Sequence, residues 1–225
     1  KAGPQPERAM QEDAKPAEAA SGRHYHHGNL RAALIEAAEA ELTDKGVEAF
    51  YLRGVAKRAG VSHAAPAHHF GDAGGLLTAL AAEGFTRFLE SMRAAQRTAA
   101  PDPAAQMNAA GQGYLDFAAR SPALFRLIFS SDRPDFSDPA LDSAASAAFL
   151  HLVEGVRRLR GDTSSTSLAG LMQDESLMAE VAGIWSVVHG MADLMNSGRL
   201  KYLQTQPPEV RQRILAEVLR RISRT

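Results

Sequence analysis

The segment that decides the fold is Tyr-Leu-Arg-Gly-Val-Ala-Lys-Arg-Ala-Gly-Val-Ser-His-Ala-Ala-Pro-Ala-His-His-Phe, residues 51–70. Its first half carries apolar residues at the spacing of one helical face, namely Leu52, Val55, Ala56 and Ala59. Gly60 follows, and glycine readily adopts the left-handed conformation that ends a helix. Ser62 is a good N-cap for a second helix because its hydroxyl can accept a free backbone N–H. The first turn of that helix then contains small residues and a proline, which is tolerated near a helix start: Ala64, Ala65 and Pro66.

Two short helices joined by a tight corner have the layout of a helix-turn-helix, whose second helix enters the major groove of DNA. Arg53 and Lys57 lie opposite the apolar face and are expected to contact phosphates. The best candidates to face bases or sugar-phosphate in the groove are His63, Ala64, Ala65 and His68. The full candidate DNA-binding set in this segment is Tyr51, Leu52, Arg53, Lys57, Arg58, Gly60, Ser62, His63, Ala64, Ala65, Pro66, His68, His69 and Phe70. The alternative is a pair of packed helices in an all-α protein that does not bind DNA.

The sequence around this segment, residues 28–85, resembles the DNA-binding region of TetR-type transcriptional regulators. The resemblance is carried by Gly-Asn-Leu-Arg-Ala-Ala-Leu-Ile-Glu-Ala-Ala at 28–38, Lys-Gly-Val-Glu-Ala-Phe at 45–50, His-His-Phe-Gly-Asp at 68–72 and Leu-Leu-Thr-Ala-Leu at 76–80. It implies an all-α fold of about nine helices, with an N-terminal three-helix DNA-binding domain and a C-terminal helical domain for ligand binding and dimerisation. The expected division is a disordered tail at 1–22, the DNA-binding domain at 23–72 and the second domain at 73–225. The resemblance also implies a ligand-responsive regulator, a repressor, that binds a palindromic operator in double-stranded DNA as a homodimer and is released by a small effector.

Two positions depart from the family pattern. Many relatives carry Tyr where this chain has Ala67 and Lys where it has Ala73, and those residues usually touch the DNA backbone. Their loss is expected to weaken phosphate anchoring, although His68 and His69 are candidates to compensate. A helical protein-interaction module that has lost DNA binding is therefore an alternative function.

The composition restricts the remaining possibilities. The 225 residues contain no Cys, which is compatible with a cytoplasmic location, and carry a net charge of −1, so attraction to nucleic acid must come from a local patch. No apolar run is long enough to cross a membrane, and we expect no membrane association. A small-molecule enzyme is the remaining alternative, but a Gly-rich phosphate loop, His-Glu-x-x-His and Gly-x-Ser-x-Gly are all missing from the sequence. Neither a cofactor nor a metal site is expected.

A basic and aromatic segment, Arg-His-Tyr-His-His-Gly-Asn at 23–29, precedes the first helix. We expect it to form an N-terminal arm on phosphates or in the minor groove, with Tyr25 and His27 as DNA contacts. A metal-binding histidine cluster and a plain solvated linker are the alternatives.

The second half contains aromatic and histidine residues that could line an apolar ligand pocket: Tyr114, Phe117, Phe125, Phe129, His151, Trp185 and His189. Trp185 with His189-Gly190 resembles a Trp-x-x-x-His-Gly segment found in one branch of the family's ligand-binding halves. Plain core packing is the alternative for the aromatics, and a satisfied core histidine is the alternative for His189. Whether 168–174 is helix or loop remains open.

The last two long helices of the sequence have broad apolar faces. In TetR-type regulators the corresponding helices pair across a two-fold axis, so the resemblance implies a dimer interface formed by Val188, Ala192, Met195, Val210, Ile214, Leu215, Val218, Leu219 and Ile222. Gly183 and Gly190 are unfavourable inside a helix and suggest the close approach of another helix. Internal core is the alternative. For the helix that contains Gly183 and Gly190, the sequence leaves open which face belongs to the pocket and which to the dimer interface.

Overall fold

A computed structural model describes residues 30–162, 164 and 167–222. These residues form eleven helices: α1 Leu30–Lys45, α2 Leu52–Ala59, α3 Ala65–Phe70, α4 Ala73–Gln96, α5 Pro103–Arg120, α6 Pro122–Ser130, α7 Pro139–Leu159, α8 Leu168–Gln173, α9 Glu175–Asn196, α10 Lys201–Gln204 and α11 Pro208–Ile222. The all-α prediction is confirmed. The count exceeds nine because α8, which the sequence left undecided, is helical and because the short α10 was not predicted.

Helices α1, α2 and α3 form a small N-terminal unit around Leu34, Ala38, Leu42, Phe50 and Val55, all buried. Gly60 has the left-handed conformation expected of it, with φ +66°, and ends α2. The prediction that the Ser62 side chain caps the next helix is wrong. Helix α3 begins at Ala65, whose N–H donates to the backbone carbonyl of Ser62 at 3.0 Å, and no side chain caps it.

Helix α4 connects this unit to the rest of the chain. It begins where the carboxylate of Asp72 accepts the N–H of Gly75 at 2.8 Å, an N-cap that the sequence analysis did not name. Its 24 residues extend about 36 Å at the rise of an α-helix. It packs mainly against α5 and α7, and also against α1, α3 and α6. One helix therefore contacts both the N-terminal unit and the centre of the second half.

The main hydrophobic core continues from α1 through α4, α5 and α6 to α9 and α11. A second, smaller cluster joins α5, α7 and α9 and consists of Met107, Val153, Val156, Leu177 and Val181. None of the helices described here is both long and apolar enough to cross a membrane.

Candidate functional site

Most of the helix-turn-helix residues selected from the sequence lie on one outer surface. Arg53 and Lys57 on α2 are exposed, as are Tyr51 before it and Ser62, His63 and Ala64 in the corner between the helices. Ala67, His68 and His69 are exposed on α3, whereas Ala65 is half-buried. The segment 51–70 contains three cations and no carboxylate. This surface can therefore approach the phosphates of a nucleic acid without repulsion from its own acidic groups.

Arg58 is held in a cluster with two carboxylates, and its DNA contact stays a prediction. Its Nε donates to Oε2 of Glu41 at 2.5 Å and its guanidinium also reaches Asp44 at 2.6 Å, so both carboxylates raise the pKa of Arg58. Glu41 is only 2 % exposed, and its Oε1 has no hydrogen-bond partner. This cluster fixes α2 against α1. The sequence analysis did not predict this carboxylate cluster, because a glutamate on α1 is normally expected to face solvent.

Three further members of the predicted set are at least partly buried, and their DNA contacts stay predictions. Pro66 is buried, and Leu52 and Phe70 are half-buried against the core. The guanidinium carbon of Arg31 lies 5.3 Å from the centre of the Phe70 ring, a cation–π contact that orders the end of α3. Gly60 shapes the corner through its backbone. Tyr25 and His27, with the proposed arm and tail, lie outside the described residues.

A cavity of about 560 Å³ lies between α4, α5, α7 and α9 and is mostly apolar. It is closed partly by α11, through Leu219 and Ile222, and by Phe136 in the segment between α6 and α7. Five of the seven residues proposed from the sequence line it: Tyr114, Phe129, His151, Trp185 and His189. Its size and lining are those of a small-molecule site.

Phe117 and Phe125 do not line the cavity, so this part of the expectation was wrong. Both are buried behind its wall, where Phe117 packs against Phe88 with ring centres 5.4 Å apart and Phe125 stacks on His189 at 5.4 Å. The sequence reasoning also missed a row of lining residues that α4 contributes: Phe85, Phe88, Met92 and Gln96. Their spacing along one helix face was visible in the sequence, but it is the same for ordinary core.

Two hydrogen-bonded pairs contribute to the polar part of the cavity lining, which also includes Asn108 and Ser146. The hydroxyl of Tyr114 and Nδ1 of His189 are 2.7 Å apart, and Nε2 of His151 is 2.8 Å from Oε1 of Gln96. Burial raises the pKa of Tyr114 and lowers the pKa of both histidines. These groups are therefore neutral near pH 7, and they act as hydrogen-bonding groups.

The two sides of α9 have different partners. Val188 and His189 face the cavity, whereas Gly183, Val187, Gly190 and Leu194 lie on the opposite, outer side. A Cβ added at Gly183 or Gly190 would have no atom of the described chain within 4 Å. None of the helices α1 to α11 provides the close approach that the glycines suggested.

Several residues expected at a dimer interface are instead part of the chain's own interior. Val188, Ala192, Leu215 and Leu219 are buried, and Val188, Leu219 and Ile222 line the cavity. The four buried residues have their apolar partners within the same chain, which corrects the expectation for Val188, Ala192, Leu215 and Leu219. Five remain half-exposed and thus accessible to a second copy: Met195, Val210, Ile214, Val218 and Ile222.

Two family models match the chain over the parts that carry these features. One, described as bacterial regulatory proteins, tetR family, matches residues 34–80, from α1 to the start of α4. The other, described as tetracyclin repressor-like, C-terminal domain, matches residues 107–221, more than half of the chain. The chain belongs to the TetR family. It is thus a transcriptional regulator and not an enzyme.

Solved structures resemble this TetR-family chain over most of its length. A protein of unknown function from Rhodococcus sp. RHA1 has 28 % identity and a TM-score of 0.69, with 88 % of this chain and 97 % of that chain covered. A TetR-like transcriptional regulator from the same organism has 16 % identity and a TM-score of 0.59, covering 86 % and 93 %. The fatty acid degradation regulator FadR from Bacillus halodurans has 14 % identity and a TM-score of 0.60, covering 88 % and 95 %. The last two share the fold. No curated protein matches the chain.

Proposed function

We propose that this TetR-family chain is an effector-responsive repressor, which binds a palindromic operator as a homodimer and is released by a small molecule. The observation that carries the proposal is the course of α4. Its first turn follows directly after α3, and four of its later residues form one wall of the cavity. A molecule in the cavity and a nucleic acid at α3 would therefore act on the same rigid element.

The DNA-contacting role rests on the exposed side chains of α2, α3 and the corner between them. Arg53 and Lys57 are free of the carboxylate cluster that holds Arg58, so they can neutralise phosphates. His63 and His68 are exposed and can donate to or accept from base edges. One such unit contacts few base pairs, and selectivity requires a second unit related by a dyad.

The outer side of α9 supports a dimer. The two glycines let a second helix approach closely, and Val187 and Leu194, each 39 % exposed, offer apolar surface beside them. We place the interface on this side of α9 together with the half-exposed edge of α11 formed by Val210, Ile214 and Val218. Pairing there would hold two α3 helices at a fixed separation.

Release follows as a shift between two conformers. An effector that binds more tightly to a conformer with α4 displaced would populate that conformer, in which the separation of the two α3 helices no longer fits the operator. The effector must discriminate between the conformers, because equal affinity for both would change nothing.

The proposal is tested by selecting binding sites for the full chain from a pool of random duplexes, followed by gel retardation at several salt concentrations. We expect an inverted repeat with half-sites about one helical turn or more apart, and binding that weakens steeply with salt. Arg53→Ala should weaken binding to all sequences alike, whereas Arg126→Ala, an exposed arginine on α6, should not. A folded dimer that retards no duplex in a salt-sensitive way would contradict the proposal and favour a module that has lost DNA binding.

A further inference from the structure

The two polar pairs of the cavity lie at different levels along α4. The ring of Tyr114 packs on Phe88, with centres 4.8 Å apart, while His151 is bonded to Gln96. Phe88 and Gln96 are separated by about 12 Å along the axis of α4, given the rise of an α-helix. Met92 lies between them on the same side of the helix and also lines the cavity. One polar pair therefore lies near each level of the cavity along α4, and Asn108 and Ser146 also belong to the lining.

The His151 end offers a hydrogen-bond acceptor. The side-chain N–H of Gln96 donates to the backbone carbonyl of Gln106 at 3.2 Å, which leaves its Oε1 to face His151. An amide oxygen only accepts, so Nε2 of His151 carries the hydrogen in this bond. Burial, assisted by Arg93 and Arg158, lowers the pKa of His151 and keeps the ring neutral. Nδ1 is then an acceptor, which suits a hydroxyl group on a ligand.

The Tyr114–His189 end offers a donor. A neutral tyrosine and a neutral histidine together have two polar hydrogens, and their shared bond uses one of them. The indole N–H of Trp185, which only donates, also hydrogen-bonds Tyr114 at this end. If the phenol donates to Nδ1, the hydrogen on Nε2 is spare; if Nδ1 donates, the phenol hydrogen is spare. Burial keeps His189 neutral by lowering its pKa, although Asp193 opposes this. In either tautomer this end can donate a hydrogen bond to an acceptor on the ligand, such as a carbonyl oxygen.

The walls between these ends offer no charged side chain to pair with a charged ligand, and Arg93 and Arg158, which act on His151, lie outside the lining. Among the described residues that line the cavity there is no Asp, Glu, Lys or Arg. A carboxylate or ammonium group placed there would lose its hydration without gaining a counter-charge. Aromatic rings form the sides instead, with Trp185 6.4 Å from Phe129 and 6.2 Å from Phe149 between ring centres. Such walls suit a rigid, ring-containing body.

We infer that the cavity takes an uncharged, elongated ring molecule of about steroid length, with a carbonyl group at the Tyr114–His189 end and a hydroxyl group at the His151 end. This inference rests on the proposed effector cavity and names the chemical class of its ligand. Gln96 is a positioning residue in this scheme, because it fixes the tautomer of His151.

Trp185 is the single tryptophan of the chain and lies in the cavity wall, so its fluorescence reports binding without a label and without DNA. Three probes are compared. The first is testosterone, the second is androstenedione, which has a carbonyl in place of the testosterone hydroxyl, and the third is the analogue with a carboxylate in that place. We expect saturable quenching by testosterone and about tenfold weaker binding of androstenedione, the effect of one hydrogen bond. The carboxylate should bind most weakly. No saturable quenching by testosterone, or equal affinity for the carboxylate, overturns the inference.

Two variants test the hydrogen position assigned to the His151 ring. Gln96→Leu removes the acceptor that fixes the His151 tautomer, so the preference for testosterone over androstenedione should disappear. His151→Phe should lose both the preference and part of the affinity. Gln112→Leu, on α5 away from the cavity, is the control and should behave as the parent chain. Folding is verified by circular dichroism. A preference that persists in folded Gln96→Leu overturns the inference.

These outcomes are separable from those of the proposed function. A chain with the expected ligand preferences that binds no duplex would contradict the repressor proposal alone. A chain that binds its operator but binds the carboxylate as tightly as testosterone would contradict only the ligand class.

Discussion

The backbone N–H of Asp135 donates to the hydroxyl of Thr78 at 2.9 Å, and that hydroxyl donates to the carbonyl of Gly74 at 2.8 Å. Asp135 precedes Phe136, whose ring lines the cavity. Gly74 lies in the first turn of α4. Two hydrogen bonds thus connect a wall of the cavity to the beginning of the helix that follows α3.

The same turn of α4 is packed closely against the end of α3. A Cβ built on Gly75 would clash with the carbonyl oxygen of Phe70, so the start of α4 lies directly against the end of α3. A ligand that displaces Phe136 could move the start of α4, and with it α3, through Thr78.

Replacing Thr78 by Val keeps the shape of this buried side chain but removes both hydrogen bonds. We expect the free energy of unfolding to fall by about 1 kcal/mol, because the N–H of Asp135 loses its partner. Operator affinity without effector should not change, whereas the effector concentration for half-release should rise about fivefold. Thr86→Val is the matched control, since Thr86 bonds only the carbonyl of Ala82 within α4. Identical effector titrations for the parent and Thr78→Val would exclude this connection.

A second prediction concerns the contact between Glu41 and Gly54. Gly to Ala inside a helix normally stabilises, but a Cβ at Gly54 would lie 2.1 Å from Oε1 of the buried Glu41 carboxylate. Gly54→Ala should therefore destabilise the chain by about 1–3 kcal/mol, as overpacking does. In a Glu41→Ala background the same change should become stabilising. A double-mutant cycle by urea unfolding measures this reversal, and additive effects of the two changes would contradict it.

The helix-turn-helix could be predicted because its evidence is local. The spacing of Leu52 and Val55 and the position of Gly60 act within a few residues, and the structure reproduces both helices. The role of Arg58 could not be predicted, because it depends on a carboxylate 17 positions earlier that is buried against the expected pattern. The one indication of this role in the sequence was Gly54, whose missing side chain leaves room for the carboxylate of Glu41.

The cavity and the two sides of α9 were harder to predict because their character depends on distant partners. Phe125 and Phe129 are one helical turn apart in α6, yet only Phe129 borders the cavity. Val187 and Val188 are adjacent and chemically identical, but one faces outward and the other inward. Periodicity identifies an apolar residue, whereas the position of other helices decides whether it meets core, empty space or solvent.

The buried histidines predict how stability depends on pH. Burial lowers the folded-state pKa of His151 and of His189 below the ordinary value of 6.5. As pH falls below that value the unfolded chain is protonated first, so the free energy of unfolding should decrease, and above it these groups contribute no slope. Asp162 and Glu217, with pKa values of about 2, stay ionised in this range. Urea midpoints at about pH 7.5 and pH 5.5 measure the loss, which should be smaller in His151→Asn; an unchanged loss would contradict the assignment.

The last prediction concerns the outer side of α9. Val187→Arg places a long cation between Gly183 and Gly190, where the proposed dimer requires two helices to approach closely. Because Val187 is 39 % exposed within one chain, the fold should tolerate the change while the dimer should not. We expect light scattering after size exclusion to give a monomer, with unchanged circular dichroism and with operator binding lost. Ala119→Arg, on the exposed side of α5, should remain dimeric. A Val187→Arg chain that stays dimeric would move the interface away from this side of α9.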